Sequence, residues 1–167
     1  FIGNDMRRKG VNDIMKLARR LPSITFNLVG AGNGYDAVVE IHHLNLKNVV
    51  YHGTLNQVQM AQLLIEMDLH IFPSRSEGFP KVTLETAAMG VPSIVYSDYG
   101  AAEWITTGKN GYVVDNIDEI EAIVKDLQQN PDKLNSLATE AIKLAKSFDW
   151  RVLVKDWEKA IEEVVYA

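Results

Sequence analysis

Short apolar runs alternate with amphipathic segments along the whole chain. Apolar runs that end in glycine or proline predict buried strands, and apolar residues at helical spacing predict the helices between them. The expected strands are 1–3, 24–29, 48–52, 69–72, 93–96 and 111–114. The expected helices are 10–21, 36–46, 56–67 and 80–89, with a helical pattern from 118 onward that breaks near 130 and 148. This alternation predicts an α/β domain over residues 1–167, with a parallel sheet of about six strands and helices on both faces.

The stretch from Ser74 to Glu85 combines the end of a strand, a tight loop and the start of a helix. Pro80 suits the first turn of that helix, and its buried side is expected to comprise Val82, Leu84, Ala87, Ala88 and Met89. Free N–H groups and the macrodipole make a helix N-terminus favourable for phosphate. Glu77 precedes the helix and Glu85 lies inside it, roughly a nucleotide-sugar's span away at about 1.5 Å per residue. The stretch therefore predicts a site for a nucleotide diphosphate sugar.

The two carboxylates also have ordinary structural interpretations, as a turn carboxylate for Glu77 and a paired helix residue for Glu85. Glu85 lies in an apolar run, where an unpaired buried carboxylate is costly, so we expect it to have a ligand or a basic partner. No pair of aspartates at D-x-D spacing occurs in the chain, and His52 has no metal-ligating residue at a suitable spacing. We therefore predict no metal site.

Composition narrows the class of protein. The chain has 167 residues, 47% of them hydrophobic and 23% charged, which is ordinary for one globular domain. The net charge of −5 argues against a nucleic-acid partner. There is no cysteine, which fits a reducing compartment, and no apolar stretch of bilayer length or signal peptide. Residues 1–3 resemble the tail of a strand, so we expect the chain to be part of a larger protein.

The spacing of Glu77 and Glu85 within Ser-Glu-Gly-Phe-Pro-Lys-Val-Thr-Leu-Glu resembles the E-x7-E signature of retaining glycosyltransferases of family 4. The resemblance implies the C-terminal, donor-binding half of the GT-B architecture, which has two Rossmann-like halves. By that resemblance Glu77 contacts the donor sugar and Glu85 the ribose hydroxyls. Backbone N–H groups of the helix start would face the phosphates. The residues concerned are Gly78, Phe79, Lys81 and Val82.

Three further loops match the family's pattern less completely. The segment from Gly3 to Gly10 resembles G-R-x-x-x-x-K-G, which implies that Lys9 clamps the donor diphosphate and acts with Glu77 in catalysis, whereas Asn4 replaces the arginine. Arg7 and Arg8 are the candidates for the missing guanidinium, although a solvated basic run is the interpretation we favour for both. The resemblance also implies that Gly30 and Gly32 shape space for the donor and that His52 borders the nucleobase.

The implied activity is transfer of a sugar from a UDP-, GDP- or ADP-linked donor to a saccharide or lipid-linked acceptor, with no cofactor required. The partners would be the nucleotide-sugar, the acceptor and an N-terminal domain of the same protein. The implied location is cytoplasmic, and peripheral membrane attachment of the intact enzyme is compatible with a role in polysaccharide biosynthesis. The alternatives are a non-catalytic nucleotide-binding or protein-interaction domain on the same fold, a related GT-B sugar epimerase and, less favoured, a response-regulator domain.

The end of the chain leaves two interpretations open. The final helices, with Trp150 and Trp157, resemble the tail that crosses back toward the other half of a GT-B enzyme. The alternative is a terminal helix that docks on its own domain.

Overall fold

The computed structural model describes residues 1–165, which form alternating strands and helices. The strands are β1 (Phe26–Leu28), β2 (Val49–Tyr51), β3 (His70–Phe72), β4 (Ser93–Tyr96) and β5 (Gly111–Val114). The α-helices are α1 (Val11–Arg20), α2 (Ala37–His43), α3 (Gln57–Leu64), α4 (Lys81–Ala88), α5 (Ile117–Gln129), α6 (Pro131–Ser147) and α7 (Trp150–Val165). Two short 3-10 helices, Ser97–Tyr99 and Ala101–Glu103, follow β4.

All strand pairing within the described residues is parallel. β1 pairs with β2, and β3, β4 and β5 pair in that order. The predicted parallel α/β fold with helices on both faces is confirmed, with five strands in place of about six. The expected first strand is a single bridge between Ile2 and Val29, with hydrogen bonds from the Val29 N–H to the Phe1 carbonyl and from the Gly3 N–H to the Val29 carbonyl.

The helices follow the predicted pattern except at α4. In α1, the apolar residues Val11, Ile14 and Leu17 are buried at the predicted helical spacing. In α4, the buried residues are Thr83, Thr86 and Ala87, whereas Ala88 and Met89 are exposed. The predicted buried side of α4 was therefore wrong in part.

Polar contacts explain the orientation of α4. The Thr83 hydroxyl donates to the carbonyl of Pro80 and accepts from the indole of Trp104, and the Thr86 hydroxyl lies 3.2 Å from that of Ser93. Buried hydroxyls with partners are tolerated in a core, so the threonines can occupy the inner side. The spacing of apolar residues in the sequence does not predict such hydrogen bonds.

The last helix does not dock its apolar side on this domain. Residues 150–165 include no buried residue, and Trp150 and Trp157 are 66% and 62% exposed. Amphipathic helices usually bury their apolar stripe, so α7 has a surface available for another body. Within residues 1–165, no helix combines the length and the apolar character that crossing a membrane requires.

Candidate functional site

The carboxyl ends of the strands bring four predicted loops together. The Oδ1 atom of Asn4 accepts from the N–H of Ala31 at 3.1 Å. This bond joins the first loop (residues 3–10) to the glycine-rich loop (residues 30–34). The N–H of Gly30 donates to the carbonyl of Gly53 at 2.8 Å, which joins the glycine-rich loop to the end of β2. Parallel strands end at the same edge of a sheet, and ligands of such folds bind at that edge.

Glu77 is the most tightly held charged group at this edge. Its Oε1 atom accepts from the Ser74 hydroxyl at 2.7 Å and lies 3.2 Å from the Lys9 ammonium and 3.4 Å from the Arg8 guanidinium. Its side chain is 10% exposed. The Oε2 atom has no protein partner within residues 1–165 and is not among the buried unpaired atoms. Glu77 thus presents one oxygen that is held in place and one that can accept from a ligand hydroxyl.

Lys9 is held as firmly as Glu77. Its side chain is 18% exposed, and its ammonium lies 4.8 Å from the centre of the Phe72 ring. A side chain at Gly3 would clash with the Lys9 methylene groups, so glycine at that position leaves room for the lysine. The predicted lysine and the first predicted glutamate are therefore brought together across 68 residues of sequence.

Arg8 belongs to the same cluster, although sequence reasoning favoured a solvated basic run. Its guanidinium donates to the carbonyl of Ser76 at 2.7 Å and pairs with Asp5 at 3.2 Å. Arg8 is exposed, as expected for a solvated residue, but its guanidinium also reaches Glu77 and the loop before it, and a contact between loops that are distant in the chain leaves no local signal in the sequence. Arg7 instead lies 5.7 Å from the centre of the Tyr35 ring, on the glycine-rich loop.

The backbone at Gly30 and Gly32 explains why glycine occupies these two positions at the carboxyl edge of the sheet. Gly30 has φ 142°, and a side chain there would overlap the carbonyl of Gly3. Gly32 has φ 81°, and its side chain would overlap the carbonyl of Tyr35. Glycine adopts such backbone without strain, so Gly30 allows the two loops to approach each other closely and Gly32 allows the tight turn that ends at Tyr35.

His52 lies at the end of β2 but faces back toward β1. Its Nε2 atom is 2.8 Å from Oδ1 of Asn27, and the residue is half-buried. None of its hydrogen bonds involves Glu77 or Lys9. His52 is therefore a packed and hydrogen-bonded residue at the border of the site.

The start of α4 leaves backbone donors uncommitted. Pro80 occupies the N-cap position, with no side-chain cap and no acidic residue in the first turn. The N–H of Lys81 donates to the carbonyl of Phe79, whereas the N–H of Val82 has no such partner within residues 1–165. Gly78 and Phe79 are exposed, as is the Lys81 side chain. An uncapped helix start of this kind favours an anion.

Glu85 is exposed, and it makes no ion pair or hydrogen bond with a side chain of the described residues. The expectation that Glu85 is buried in an apolar run was wrong, because the inner side of α4 is the threonine side. Its need for a basic partner therefore disappears. What the structure retains is an accessible carboxylate one and a half turns into the helix.

Two tyrosines near the cluster remain neutral. Burial raises the pKa of Tyr35 to about 12, with the Glu40 carboxylate adding to the effect. Burial and the neighbouring Glu77 carboxylate raise the pKa of Tyr99 further. Neither phenol is set up as a base at neutral pH.

A cavity of about 530 Å³ lies at the other end of the strands. It is lined by the first residues of β1 and β3, including Phe26 and His70. His70 is 2% exposed, and burial holds its pKa well below the usual value. Its Nδ1 atom lies 3.0 Å from the Ser93 hydroxyl. This cavity is separate from the charged cluster.

No group of three or more histidine, aspartate or glutamate side chains in residues 1–165 is arranged to hold a metal ion. The charges that would meet an anionic ligand at this edge are those of Lys9 and Arg8. The Arg8 side chain is positioned by its hydrogen bond to the Ser76 carbonyl, and the Lys9 side chain by its ion pair with the Glu77 carboxylate.

Fold and site together define a Rossmann-like domain whose strand ends carry a cation–carboxylate cluster beside an open helix start. The family model for glycosyl transferases group 1 matches residues 1–144. The chain therefore belongs to that family.

Curated relatives and solved structures agree with this assignment. The chain is 29% identical over 161 residues to the alpha-galactosylglucosyldiacylglycerol synthase of Streptococcus pneumoniae, covering 93% of this chain and 42% of the relative. TarM matches with a TM-score of 0.83 at 20% identity, over 95% of this chain and 34% of TarM. Anabaena HepE in complex with UDP-glucose matches with a TM-score of 0.80 at 24% identity, over 99% of this chain and 48% of HepE. The chain thus spans less than half the length of these proteins.

Proposed function

We propose that this chain is the donor-binding half of a family 4 retaining glycosyltransferase with the GT-B architecture. The observation that carries the proposal is the Glu77 carboxylate, held through Oε1 by Ser74, Lys9 and Arg8 while Oε2 stays available. A group that is held before the ligand arrives contributes more to catalysis than one that must be ordered during the reaction.

The reaction is displacement at the anomeric carbon of the donor sugar. The bond from that carbon to the phosphate oxygen breaks, and a bond to the oxygen of an acceptor hydroxyl forms. The nucleoside diphosphate leaves with the bonding electrons and takes up the proton of that hydroxyl. The Lys9 ammonium and the free N–H groups at the start of α4 stabilise the charge that develops on the diphosphate. Glu77 Oε2 accepts from a sugar hydroxyl and thereby orients the ring.

The remaining predicted residues complete the donor site. Glu85 accepts from the ribose hydroxyls, and its exposure supports that role because a ligand can reach it. Gly30 and Gly32 keep the loop beside the donor free of side chains, and His52 borders the base. Asn4, which replaces an arginine in the family pattern, ties two loops together, so Arg8 is the second cation of the clamp.

The acceptor and its binding groups belong to another domain. The relatives are more than twice as long as the matched segment, and the exposed apolar side of α7 offers a surface on which an N-terminal half can pack. The relatives include the alpha-galactosylglucosyldiacylglycerol synthase of Streptococcus pneumoniae and the glycogen synthase of Mycobacterium tuberculosis, which support a lipid-linked or saccharide acceptor.

The test is a thermal-shift titration of the intact protein with UDP, GDP and ADP. We expect one nucleotide to raise the melting temperature in a concentration-dependent way, since a ligand that binds the native state stabilises it. UDP is the first candidate, because HepE and GtfA structures contain it. If none of the three nucleotides raises the melting temperature, the protein would instead be a non-catalytic interaction domain. Transfer assays with the corresponding sugar nucleotides then separate a transferase from an epimerase.

A further inference from the structure

Three aromatic rings stack beside the start of α4. The ring of Phe79 lies 4.9 Å from that of Trp104, with an angle of 50° between their planes. It also lies 5.9 Å from the ring of Phe148, with an angle of 30°. These distances and tilts are those at which aromatic pairs attract each other. Phe79, two residues after Glu77, thus contacts two rings from distant parts of the chain.

Trp104 forms the fixed side of the stack. It is 8% exposed, and its indole N–H donates to the Thr83 hydroxyl at 3.3 Å. The same hydroxyl donates to the carbonyl of Pro80 at 2.9 Å. Trp104 therefore fixes the first turn of α4 by a hydrogen bond and contacts the preceding loop through its ring.

Phe148 forms the other side and belongs to the joint between two helices. It ends α6, where its N–H donates to the carbonyl of Ala145, and the carbonyl of Asp149 accepts the N–H of Val152 in the first turn of α7. Phe148 is half-buried in the same apolar cluster as Leu84 of α4 and Leu144 of α6. The position of its ring is therefore set by the packing of α6 and not by the loop that it contacts.

The loop itself has little other side-chain anchorage on this side. Gly78 has no side chain, and the space where one would lie is open, so Gly78 adds no side-chain contact to the loop. Phe79 is 44% exposed, and its ring contacts are those with Trp104 and Phe148. Removing one of the two rings leaves Phe79 with one aromatic contact in place of two.

We propose that Phe148 is a positioning residue that acts through Phe79 to hold the loop from Glu77 to Pro80 in its donor-binding arrangement. The inference rests on the proposed function for the identity of the ligand. It extends that function by linking the α6–α7 joint to the donor site. Because α7 begins two residues after Phe148, a body that packs on the apolar side of α7 acts on the same joint.

The test compares Phe148→Ala with Phe148→Leu and with Leu137→Ala in the intact protein. Leu137 is a matched control, because it is fully buried in the same helix but belongs to the other core cluster. We expect Phe148→Ala to weaken UDP binding about three- to tenfold, the range that loss of one aromatic pair corresponds to. Phe148→Leu restores part of the affinity. Leu137→Ala lowers the melting temperature at least as much but leaves UDP affinity unchanged below that temperature.

Hydrogen exchange gives a readout that does not depend on the nucleotide. We expect amides of residues 77–82 to exchange faster in Phe148→Ala than in the parent protein, whereas those of residues 26–29 are unchanged. Equal exchange at 77–82 in the two proteins overturns the proposal, as does an equal loss of UDP affinity in Leu137→Ala. If the parent protein binds none of UDP, GDP and ADP, the proposed function fails, and the exchange result still decides the role of Phe148.

Discussion

The two ends of β3 carry buried polar groups of opposite character. At its amino end, His70 is neutral, 2% exposed and hydrogen-bonded to the Ser93 hydroxyl beside a cavity. After its carboxyl end, Glu77 is charged and paired with Lys9 and Arg8, with one oxygen available to a ligand. One strand thus supports a core contact at one end and a site at the other. The site at Glu77 differs from the core contact at His70 because Glu77 keeps its charge and is accessible to a ligand, whereas both residues are polar.

The largest expected effect follows from replacing Glu77. Glu77→Gln keeps the size of the side chain but removes the charge that pairs with Lys9 and Arg8, so we expect kcat of the intact protein to fall by about a hundredfold, as for loss of one group that stabilises a transition state. Steady-state kinetics measures this. Glu66→Gln, an exposed glutamate before β3, is the control. An unchanged kcat in Glu77→Gln would remove the contrast between the two ends.

A smaller effect is expected at Lys9. Lys9→Met retains the aliphatic chain over Phe72 but removes the ammonium, so binding of the nucleoside diphosphate should weaken by about tenfold, the value of one charge-assisted hydrogen bond. Isothermal titration measures the affinity. Lys16→Met, on the exposed side of α1, should bind as the parent does. Equal losses in both variants would mean a general electrostatic effect and no specific clamp.

Glu85 should affect binding without affecting the fold. Glu85→Gln removes an exposed carboxylate that has no protein partner within residues 1–165, so we expect the melting temperature of the free protein to change by less than about 1 °C, as for surface substitutions in general. Affinity for UDP should fall about three- to tenfold if Glu85 accepts from the ribose hydroxyls. The matched comparison is UDP against a 2′,3′-dideoxy analogue. An equal preference in parent and variant would contradict the assignment.

The smallest expected effect on ligand binding is at the opposite end of β3, where the pH dependence of stability should change instead. The folded-state pKa of His70 lies below its unfolded value, so the unfolded chain binds more protons and stability falls as the pH drops below about 6.5. The slope approaches 1.4 kcal/mol per pH unit for one such group. Urea unfolding between pH 7 and 5 measures it.

The variant His70→Gln should flatten that slope and leave UDP affinity at pH 7 unchanged. His43→Gln, an exposed imidazole on α2, should retain the slope. A change in UDP affinity in His70→Gln would connect the two ends of β3 that the structure separates.

Much of the fold was accessible from local pattern. Strand positions, the parallel arrangement and the location of the loops at the carboxyl ends follow from apolar runs and their stop signals. The strand–loop–helix context of the 74–85 stretch led to the expectation of a donor site, which stays a prediction. Errors occurred where a long-range polar contact decides orientation. Thr83 and Thr86 lie on the buried side of α4 because their hydroxyls form hydrogen bonds with the Trp104 indole and the Ser93 hydroxyl. Glu85 is exposed as a result.

The sequence by itself determined the elements, the family resemblance and the residues that carry charge near the strand ends. Only the tertiary structure decided which of them meet: Lys9 and Arg8 with Glu77, Asn4 with the glycine-rich loop, and Phe148 with Phe79. The physical reason is that periodicity and capping are properties of neighbours in the chain. Contacts between loops depend instead on how the sheet and helices pack.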